Sequence, residues 1–300
     1  MNRKILYIIN PISGTKNKTT LQNYLNRSSS EAGLAFEIIQ TSIDGDYEFL
    51  PGKVREEMIT DVIVCGGDGS VSRIAGSLLG EDINIGIIPM GSGNGLALAA
   101  RIPASARGAL AVILRGNAAP IDGFMVNEKF SCMMCGMGSD AQVAHDFAAG
   151  TKRGLKTYLK ISAGQFFRAR PYSFTVELPG KQISSHAFFI SIANSNQFGN
   201  HITIAPQASL SDGLLDIVVV NKMSKMLLPF QLLHQISGKN RLRQTHKEDK
   251  RNILYFQTDK VIVHNHDLAP LHIDGEPEPP TQKISIRIIP KAFRLLQPSV

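Results

Sequence analysis

Three glycine-rich segments, each placed directly after an apolar run, constrain this sequence more than any other feature. The segments are NPISG (10–14), GGDGS (66–70) and GSGNG (91–95), and they follow KILYIIN, DVIVC and INIGIIP. Strands without polar alternation, separated by amphipathic stretches such as 71–79, predict a parallel sheet with helices on both faces. In such a sheet the three loops share one edge, beyond the carboxyl ends of the strands, where ligands bind.

The glycines of these loops predict a phosphate-binding edge. Glycine permits positive φ and close backbone approach, so exposed N–H groups can surround a phosphate. Three ordinary tight turns are the alternative, but their placement at one edge favours the phosphate site. The sequence has no GxxxxGK[ST] segment, and GSGNG lacks the GxGxxG spacing, so neither a P-loop nor a dinucleotide fingerprint is expected.

A single carboxylate among these glycines predicts a metal ion. Asp68 is the only charged residue of the second loop, and it would repel phosphate unless a cation lay between them. Mg²⁺ takes one or two protein carboxylates and bridges to phosphates. Asp122, in the segment PIDGF, is a candidate to share that ion, with an ordinary Asp-Gly turn as the alternative.

The pattern of the chain changes near residue 120. Runs such as YSFTVEL, HAFFISIAN, LLDIVVV, KVIVHN and KISIRII, punctuated by turn residues, predict an antiparallel sandwich or barrel. Two helical-looking inserts interrupt it, at 151–168 and 222–238. We therefore expect an α/β domain at 1–123 and an antiparallel sandwich or barrel at 124–290, with the tail 291–300 as a candidate to return to the first domain.

The charge of the chain favours anionic partners. The net charge is +7, residues 148–176 contain no acid, and residues 222–251 contain eight Lys or Arg against two acids. Basic residues beside apolar ones are typical of an element that lies on an anionic membrane surface, with a solvated, salt-bridged surface as the alternative. No nucleic-acid-binding motif accompanies them, so nucleic acid is not an expected partner. We expect a cytoplasmic protein with peripheral membrane association, and three cysteines that are buried thiols.

In their order along the chain, these segments resemble the catalytic fold of the diacylglycerol kinases and sphingosine kinases. The resemblance rests on NPISG, VIVCGGDGS, GIIPMGSGNGLA, PIDGF, GMGSDAQV, IAPQASLSDGLLDIVVV and HIDGEP, and it covers nearly the whole chain. GGDGS alone is shared with NAD kinases and, more distantly, phosphofructokinases, whereas APQASLSDGLLD and DGEP make the match specific. The resemblance implies an α/β nucleotide-binding domain of that kind, a C-terminal β-sandwich, and ATP and lipid meeting in the cleft between them.

The resemblance also implies which residues handle ATP and magnesium. Asp68 and Asp122 would belong to a magnesium–water network under the phosphates, and Asp68 would count among the catalytic residues. The residues expected to contact ATP are Asn10, Pro11, Ser13, Gly14, Thr41, Gly66, Gly67, Asp68, Gly69, Ser70, Ser92, Gly93 and Asn94.

Two further sites follow from the resemblance. Glu276 would be the general base, with Asp274 beside it, because a lipid hydroxyl must lose its proton to a carboxylate as the bond to phosphorus forms. A solvent-exposed loop acid is the alternative for Glu276. Asp212, with the main-chain carbonyls of Ser209 and Leu214, would hold a separate structural Mg²⁺.

The sequence departs from the family pattern in two places. Many bacterial diacylglycerol kinases have Asp after the Asn of the third loop, where this chain has Gly95, and GSGNG is closer to sphingoid-base and ceramide kinases. The region 42–60 lacks the family's usual His-Ala helix. We expect an ATP-dependent kinase of a lipid alcohol, either diacylglycerol or a sphingoid base, and leave a homodimer open. The alternatives are an NAD-kinase-like kinase of a soluble substrate and a non-catalytic nucleotide-binding protein on membranes.

Overall fold

The computed structural model divides the chain into two compact units. Unit 1 comprises Met1–Ile121 and Lys291–Val300, and unit 2 comprises Asp122–Pro290. Residues 3–11, 13–14, 18–41, 45–150, 161, 165, 168–197, 203–243 and 251–299 are described.

The centre of unit 1 is a parallel sheet. Its strands are β1 (Lys4–Ile9), β2 (Ala35–Gln40), β3 (Asp61–Gly66) and β4 (Asn84–Pro89), in the order β2-β1-β3-β4. The end of a long strand, β15 (Lys283–Leu296), adds to the free side of β4, with Arg294 opposite Asn84 and Leu295 opposite Ile85. Every residue of β3 is buried, as expected for a strand with both faces covered.

In the part of unit 1 that the structure describes there are five helices. In the third of them Val71, Ile74 and Ala75 are buried on one face, as the apolar spacing of 71–79 predicts. In the fifth, Ser105 Oγ accepts the Gly108 N–H at 3.1 Å, which caps the helix start. The second and the fifth were not predicted. The helices are α1 (Lys18–Glu31), α2 (Leu50–Glu56), α3 (Asp68–Ser77), α4 (Gly95–Ala99) and α5 (Ala106–Arg115).

A buried carboxylate lies at the first residue of strand β3. Asp61 is 0% exposed, yet its carboxylate is fully engaged. Arg3 Nε donates to Oδ2 at 3.0 Å, Thr60 Oγ1 donates to the same oxygen at 2.7 Å, and Asn84 Nδ2 donates to Oδ1 at 3.0 Å. Arg3 and Thr60 directly precede β1 and β3, and Asn84 begins β4. The carboxylate therefore joins the starts of the three strands, at the end opposite the glycine loops.

Unit 2 consists mainly of antiparallel strands. One path runs β14-β13-β7-β9-β8-β12-β15, β10 pairs with β9 and β11, and β5 pairs with β6. Among the described residues two helices with defined bounds accompany them, α6 (Ser139–Ala149) and α7 (Leu228–Ile236). The strands are β5 (Ala118–Val126), β6 (Lys129–Ser131), β7 (Met134–Gly138), β8 (Tyr172–Leu178), β9 (Lys181–Ala193), β10 (Leu215–Asn221), β11 (Ile253–Thr258), β12 (Lys260–Asn265), β13 (Leu271–Ile273) and β14 (Glu276–Glu278).

Alternating side chains build the core of unit 2. In β8, every second residue from Tyr172 to Leu178 is buried, the period-2 pattern of a strand with one core face. Phe124, Phe174 and Ile190 lie in one cluster with residues of β10, β12 and β15. The predicted insert at 222–238 contains α7, whereas most of the insert at 151–168 lies outside the described residues. Helix α6, strand β11 and the β13–β14 hairpin were not predicted.

No helix among the described residues is both long enough and apolar enough to cross a membrane.

Candidate functional site

The first glycine loop of unit 1 contacts both of the others. Asn10 Nδ2 donates to Ser70 Oγ at 2.9 Å, which joins the first loop to the second. Gly14 has φ +60°, and a Cβ at this position would lie 2.1 Å from the carbonyl oxygen of Met90, next to the third loop. Only glycine fits such a backbone contact. The first loop is therefore fixed against its two neighbours.

The second and third loops contact each other through glycines. A Cβ on Gly91 would lie 2.7 Å from Gly67 Cα, so neither loop leaves space for a side chain there. The third loop is also closed on itself, because Asn94 Oδ1 accepts the Gly91 N–H at 2.8 Å and Asn94 Nδ2 donates to the Gly91 carbonyl at 2.7 Å. Asn94 has φ +49°, a conformation that Asn tolerates better than most residues.

Asp68 joins the second loop to the third. It is the first residue of α3, and its Oδ2 accepts the Gly95 N–H at 2.9 Å while its Oδ1 accepts the Leu96 N–H at 3.2 Å. Burial raises the pKa of this carboxyl, and the hydrogen bonds from the backbone of the third loop oppose the rise. The carboxylate thus satisfies N–H groups at the start of α4.

The surroundings of Asp68 fit a magnesium ion held through water. The two carboxylate oxygens accept the Gly95 and Leu96 N–H groups, and each oxygen has two lone pairs, so a metal-bound water can also donate to this carboxylate. Mg²⁺ commonly keeps several waters and reaches a protein through one or two carboxylates. Within the described residues, no three His, Cys, Asp or Glu side chains converge closely enough to enclose a metal directly.

The other predicted ATP contacts lie on the same loops and strand ends. Thr41 directly follows β2, and its N–H donates to the Ile9 carbonyl at 3.0 Å. Pro11 and Ser92 are exposed, and Ser13 and Gly93 are partly exposed. Gly66 ends β3, and Gly69 and Ser70 lie in the first turn of α3. Ile12 and residues 15–17 lie outside the described residues. The roles of these residues in ATP binding stay predictions.

In unit 2, Glu276 lies next to a two-residue hairpin turn. Asp274 and Gly275 have φ of +50° and +79°, the combination that makes an Asp-Gly pair suitable for a type I′ turn. Glu276 is the first residue of β14, pairs with Ile273 of β13 and is partly exposed. The sequence analysis gave a solvent-exposed loop acid as the alternative for Glu276, whereas the structure places this residue on the strand directly after the turn.

Asp274 holds this hairpin to the β6–β7 connection. Its Oδ1 accepts the Ser131 hydroxyl at 2.8 Å and the Met134 N–H at 3.0 Å, and its own N–H donates to the Met134 carbonyl at 2.8 Å. These contacts fix the turn that precedes Glu276. In the structure Asp274 therefore holds the turn before Glu276 in place. Its predicted catalytic role stays a prediction.

A buried acid–imidazole pair, which the sequence analysis missed, lies behind the same turn. His272 Nε2 lies 3.7 Å from Asp140 Oδ2, and His272 Nδ1 accepts the Gly275 N–H at 3.3 Å. Burial raises the pKa of Asp140, and the His272 side chain opposes the rise. A Cβ on Gly136 would lie 2.2 Å from Asp140 Oδ2. The segment GMGSD (136–140), in which Gly136 precedes the acid Asp140, is the feature of the sequence that could have indicated this pair.

The remaining predicted metal ligands lie on one loop and one strand of unit 2. Asp122 is 1% exposed, and its Oδ2 accepts the Gly213 N–H at 2.7 Å. Asp212 Oδ1 accepts the Leu214 N–H at 3.1 Å within the same loop as Ser209. Burial raises the pKa of Asp212, and the charge of Asp122 raises it further. A cation at this loop would suit the two acids, and the structural Mg²⁺ stays a prediction.

Comparison with known proteins assigns both units. The model of the diacylglycerol kinase catalytic domain matches residues 4–126, and the model of the YegS C-terminal NAD kinase beta sandwich-like domain matches residues 133–297. The chain belongs to the family that these domains define, the YegS-like and diacylglycerol kinase family. The resemblance found in the sequence is thereby confirmed.

Individual relatives agree with this assignment. The diacylglycerol kinase of Bacillus subtilis (strain 168) is 26% identical over 275 residues, which cover 90% of this chain and 88% of the relative. A Shewanella frigidimarina (strain NCIMB 400) protein named "Probable lipid kinase YegS-like" is 25% identical over 244 residues, with 79% and 76% covered.

The fold class is confirmed by a solved structure as well. The crystal structure of a diacylglycerol kinase from Bacillus anthracis str. Sterne matches with a TM-score of 0.74 at 18% identity, covering 99% of this chain and 97% of that one. An α/β domain followed by a β-sandwich is therefore the architecture of this chain, as predicted.

Proposed function

We propose that this protein transfers the γ-phosphoryl group of ATP to the hydroxyl group of a lipid alcohol. The observation that carries the proposal is the contact of three glycine loops around Asp68 in unit 1. Gly14, Gly67 and Gly91 keep the loops free of side chains where they touch. Such loops present backbone N–H groups to phosphate, which is the positioning that phosphoryl transfer requires.

The proposed chemistry needs a group that accepts one proton. The lipid oxygen forms a bond to the γ-phosphorus, the bond from that phosphorus to the β–γ bridging oxygen breaks, and ADP leaves. The hydroxyl proton goes to the carboxylate of Glu276. The hydrogen bonds of Asp274 and Gly275 hold the turn before Glu276, which limits the positions that this carboxylate can take. Magnesium, when bound near Asp68, would neutralise phosphate charge.

Two lipid classes remain as acceptors. The name of the Bacillus subtilis relative supports diacylglycerol. Gly95, which stands where many bacterial diacylglycerol kinases carry Asp, supports a sphingoid base; its N–H contacts Asp68 at 2.9 Å. We rank diacylglycerol first because the name of this relative describes a complete reaction, whereas Gly95 is a single residue that differs from the family pattern.

A labelling experiment tests the proposal. The protein is incubated with Mg²⁺, ATP labelled at the γ-phosphate, and separately with diacylglycerol, sphingosine, ceramide or NAD. Label in an organic-extractable product supports a lipid kinase and names its substrate. Label on NAD alone would favour a kinase of a soluble substrate. If folded protein binds ATP but labels none of the four, the proposal is wrong.

A further inference from the structure

Helix α7 of unit 2 and the turn just before it present a row of apolar side chains to solvent. We call Met226, Phe230, Leu233 and Ile236 the docking face; their exposed fractions are 82%, 70%, 64% and 37%. Phe230, Leu233 and Ile236 recur every third residue of the helix, so they project from one side. Large apolar residues grouped on a protein surface mark an interaction site more often than scattered ones do.

The opposite side of the helix is attached to unit 2. Leu228 and Gln235, seven residues apart, are 2% and 0% exposed. Gln235 Nε2 donates to the Ile204 carbonyl at 2.7 Å, and its Oε1 accepts Asn240 Nδ2 at 2.7 Å. At 100° per residue, Leu228 and Gln235 lie roughly opposite Phe230 and Leu233. The attachment therefore holds the docking face outward.

The chain segment that carries the docking face contains Lys and Arg but no acid. No acid occurs between residues 222 and 243, and this segment carries five basic residues. All five are exposed. They are Lys222, Lys225, Lys239, Arg241 and Arg243.

We propose that the docking face of α7 inserts into the interface of an anionic lipid bilayer. A helix with exposed Phe and Leu on one side and Lys and Arg around it matches the chemistry of acyl chains below anionic headgroups. A second copy of this chain is a poor occupant, because a twofold contact through this face would bring five basic residues against five. The other basic segment, with Lys152, Arg153 and Lys156, lies outside the described residues and carries no part of this inference.

Vesicle binding tests the apolar part of the proposal. Vesicles of phosphatidylcholine with or without phosphatidylserine contain no lipid alcohol substrate and are used without ATP, so the result does not depend on the proposed reaction. We expect the protein to bind the phosphatidylserine vesicles, and we expect this binding to weaken as the salt concentration rises. The Debye length falls from about 10 Å at 0.1 M to about 3 Å at 1 M, so salt screens the attraction between the basic residues and the lipid headgroups. The double variant Phe230→Ser/Leu233→Ser should lower the partition coefficient at least about tenfold.

Matched controls separate the docking face from exposed residues in general. Phe49→Ser/Met58→Ser removes two exposed apolar side chains of unit 1 and should leave vesicle binding unchanged.

Charge is tested in the same way. Lys222→Gln/Lys239→Gln/Arg241→Gln should weaken binding to anionic vesicles about tenfold or more. Each Lys or Arg near an anionic surface contributes measurably. The control Lys260→Gln/Lys283→Gln/Arg287→Gln removes the same charge from exposed positions on β12 and β15 and should have a much smaller effect.

Three results would overturn the proposal. One is equal binding of the wild type to neutral and anionic vesicles. Another is unchanged vesicle binding of Phe230→Ser/Leu233→Ser with its melting temperature preserved. The third is a sedimentation-velocity result in which that variant converts a dimer to a monomer while vesicle binding persists, which would make the docking face a contact between copies.

Discussion

His272 Nε2 lies 3.7 Å from Asp140 Oδ2, in the interior of unit 2. The other ring nitrogen of His272 accepts the Gly275 N–H, so the ring proton belongs on Nε2, facing the carboxylate. Gly136 has no side chain where the pair needs space. The pair and the Asp274–Gly275 turn are thereby one connected arrangement, one residue away from the proposed base.

The pair should position Glu276 without touching substrate. His272→Leu removes the acceptor for the Gly275 N–H, so we expect kcat to fall about tenfold or more while directly measured ATP affinity stays within a few-fold. His272→Asn places an amide oxygen near the position of Nδ1 and should recover much of the loss. Equal kcat in the Leu and Asn variants, with both folded, would contradict the positioning role.

Glu276→Gln should separate chemistry from binding. The amide keeps the size of the side chain but cannot take the proton, and general-base catalysis is typically worth about 10²–10⁴-fold. We expect kcat to fall by that order with ATP affinity nearly unchanged, measured by calorimetry beside steady-state kinetics. Asp274→Asn tests the neighbouring carboxylate, because its Oδ1 can still accept from Ser131 and Met134; a fall in kcat in that variant as large as in Glu276→Gln would support the predicted catalytic role of Asp274. A collapse of ATP affinity in Glu276→Gln would instead make Glu276 a nucleotide or metal ligand.

Asp68→Asn should abolish turnover and also weaken unit 1. One carboxylate oxygen becomes an amide NH₂ group that faces a backbone N–H of the third loop, since Gly95 and Leu96 each donate to a different oxygen. Leaving such a donor without an acceptor costs about 1–3 kcal/mol. The measurements are kcat and the free energy of unfolding in urea. A folded variant with more than about a tenth of the wild-type rate would remove Asp68 from the proposed mechanism.

Gly91→Ala should disturb the nucleotide edge through backbone contact alone. The new methyl would lie 2.7 Å from Gly67 Cα, so one of the two loops must move. We expect weaker ATP binding and a lower melting temperature. Gly52→Ala, in α2, is the control: apart from the backbone of its own helix no atom lies within 4 Å of its Cβ position, and Ala favours a helix over Gly by about 1 kcal/mol. Similar ATP affinity in Gly91→Ala and the wild type would argue against tight loop contact.

The three thiols should be unreactive in the folded protein. Cys65, Cys132 and Cys135 are buried and form no disulfide, and burial raises the pKa of Cys65 and of Cys135. Thiolate is the reactive form, so we expect no fast reaction with a thiol reagent such as Ellman's reagent under native conditions and three equivalents after unfolding. Rapid modification of native protein would show that one thiol is accessible.

The glycine loops could be predicted because their determinants are local. Each loop follows a continuous apolar run, and the contacts of Asn10 with Ser70 and of Gly67 with Gly91 follow once the strands are parallel neighbours. Helix α2 could not be predicted from an apolar face, since only Leu50 and Val54 of its seven residues are buried.

The surroundings of Glu276 could not be predicted because they depend on distant pairings. Asp274 contacts Ser131 and Met134, about 140 residues earlier, and His272 contacts Asp140. These contacts require the register in which β13 lies beside β7, and short strands of three residues carry too little periodicity to specify a register. The local Asp-Gly pair indicated the turn but not which residue would begin the next strand.

Strand β15 determines when unit 1 can complete its sheet during synthesis of the chain. Its last residues are the partner of β4, so unit 1 lacks a sheet neighbour until residues 291–296 have been made. The ribosome must first translate all of unit 2, which takes roughly ten to thirty seconds at about 5–20 residues per second. During that interval β4, with Ile85, Ile87 and Ile88, is an edge strand able to pair with other chains. Chaperone dependence during translation should therefore centre on the first 121 residues of a nascent chain.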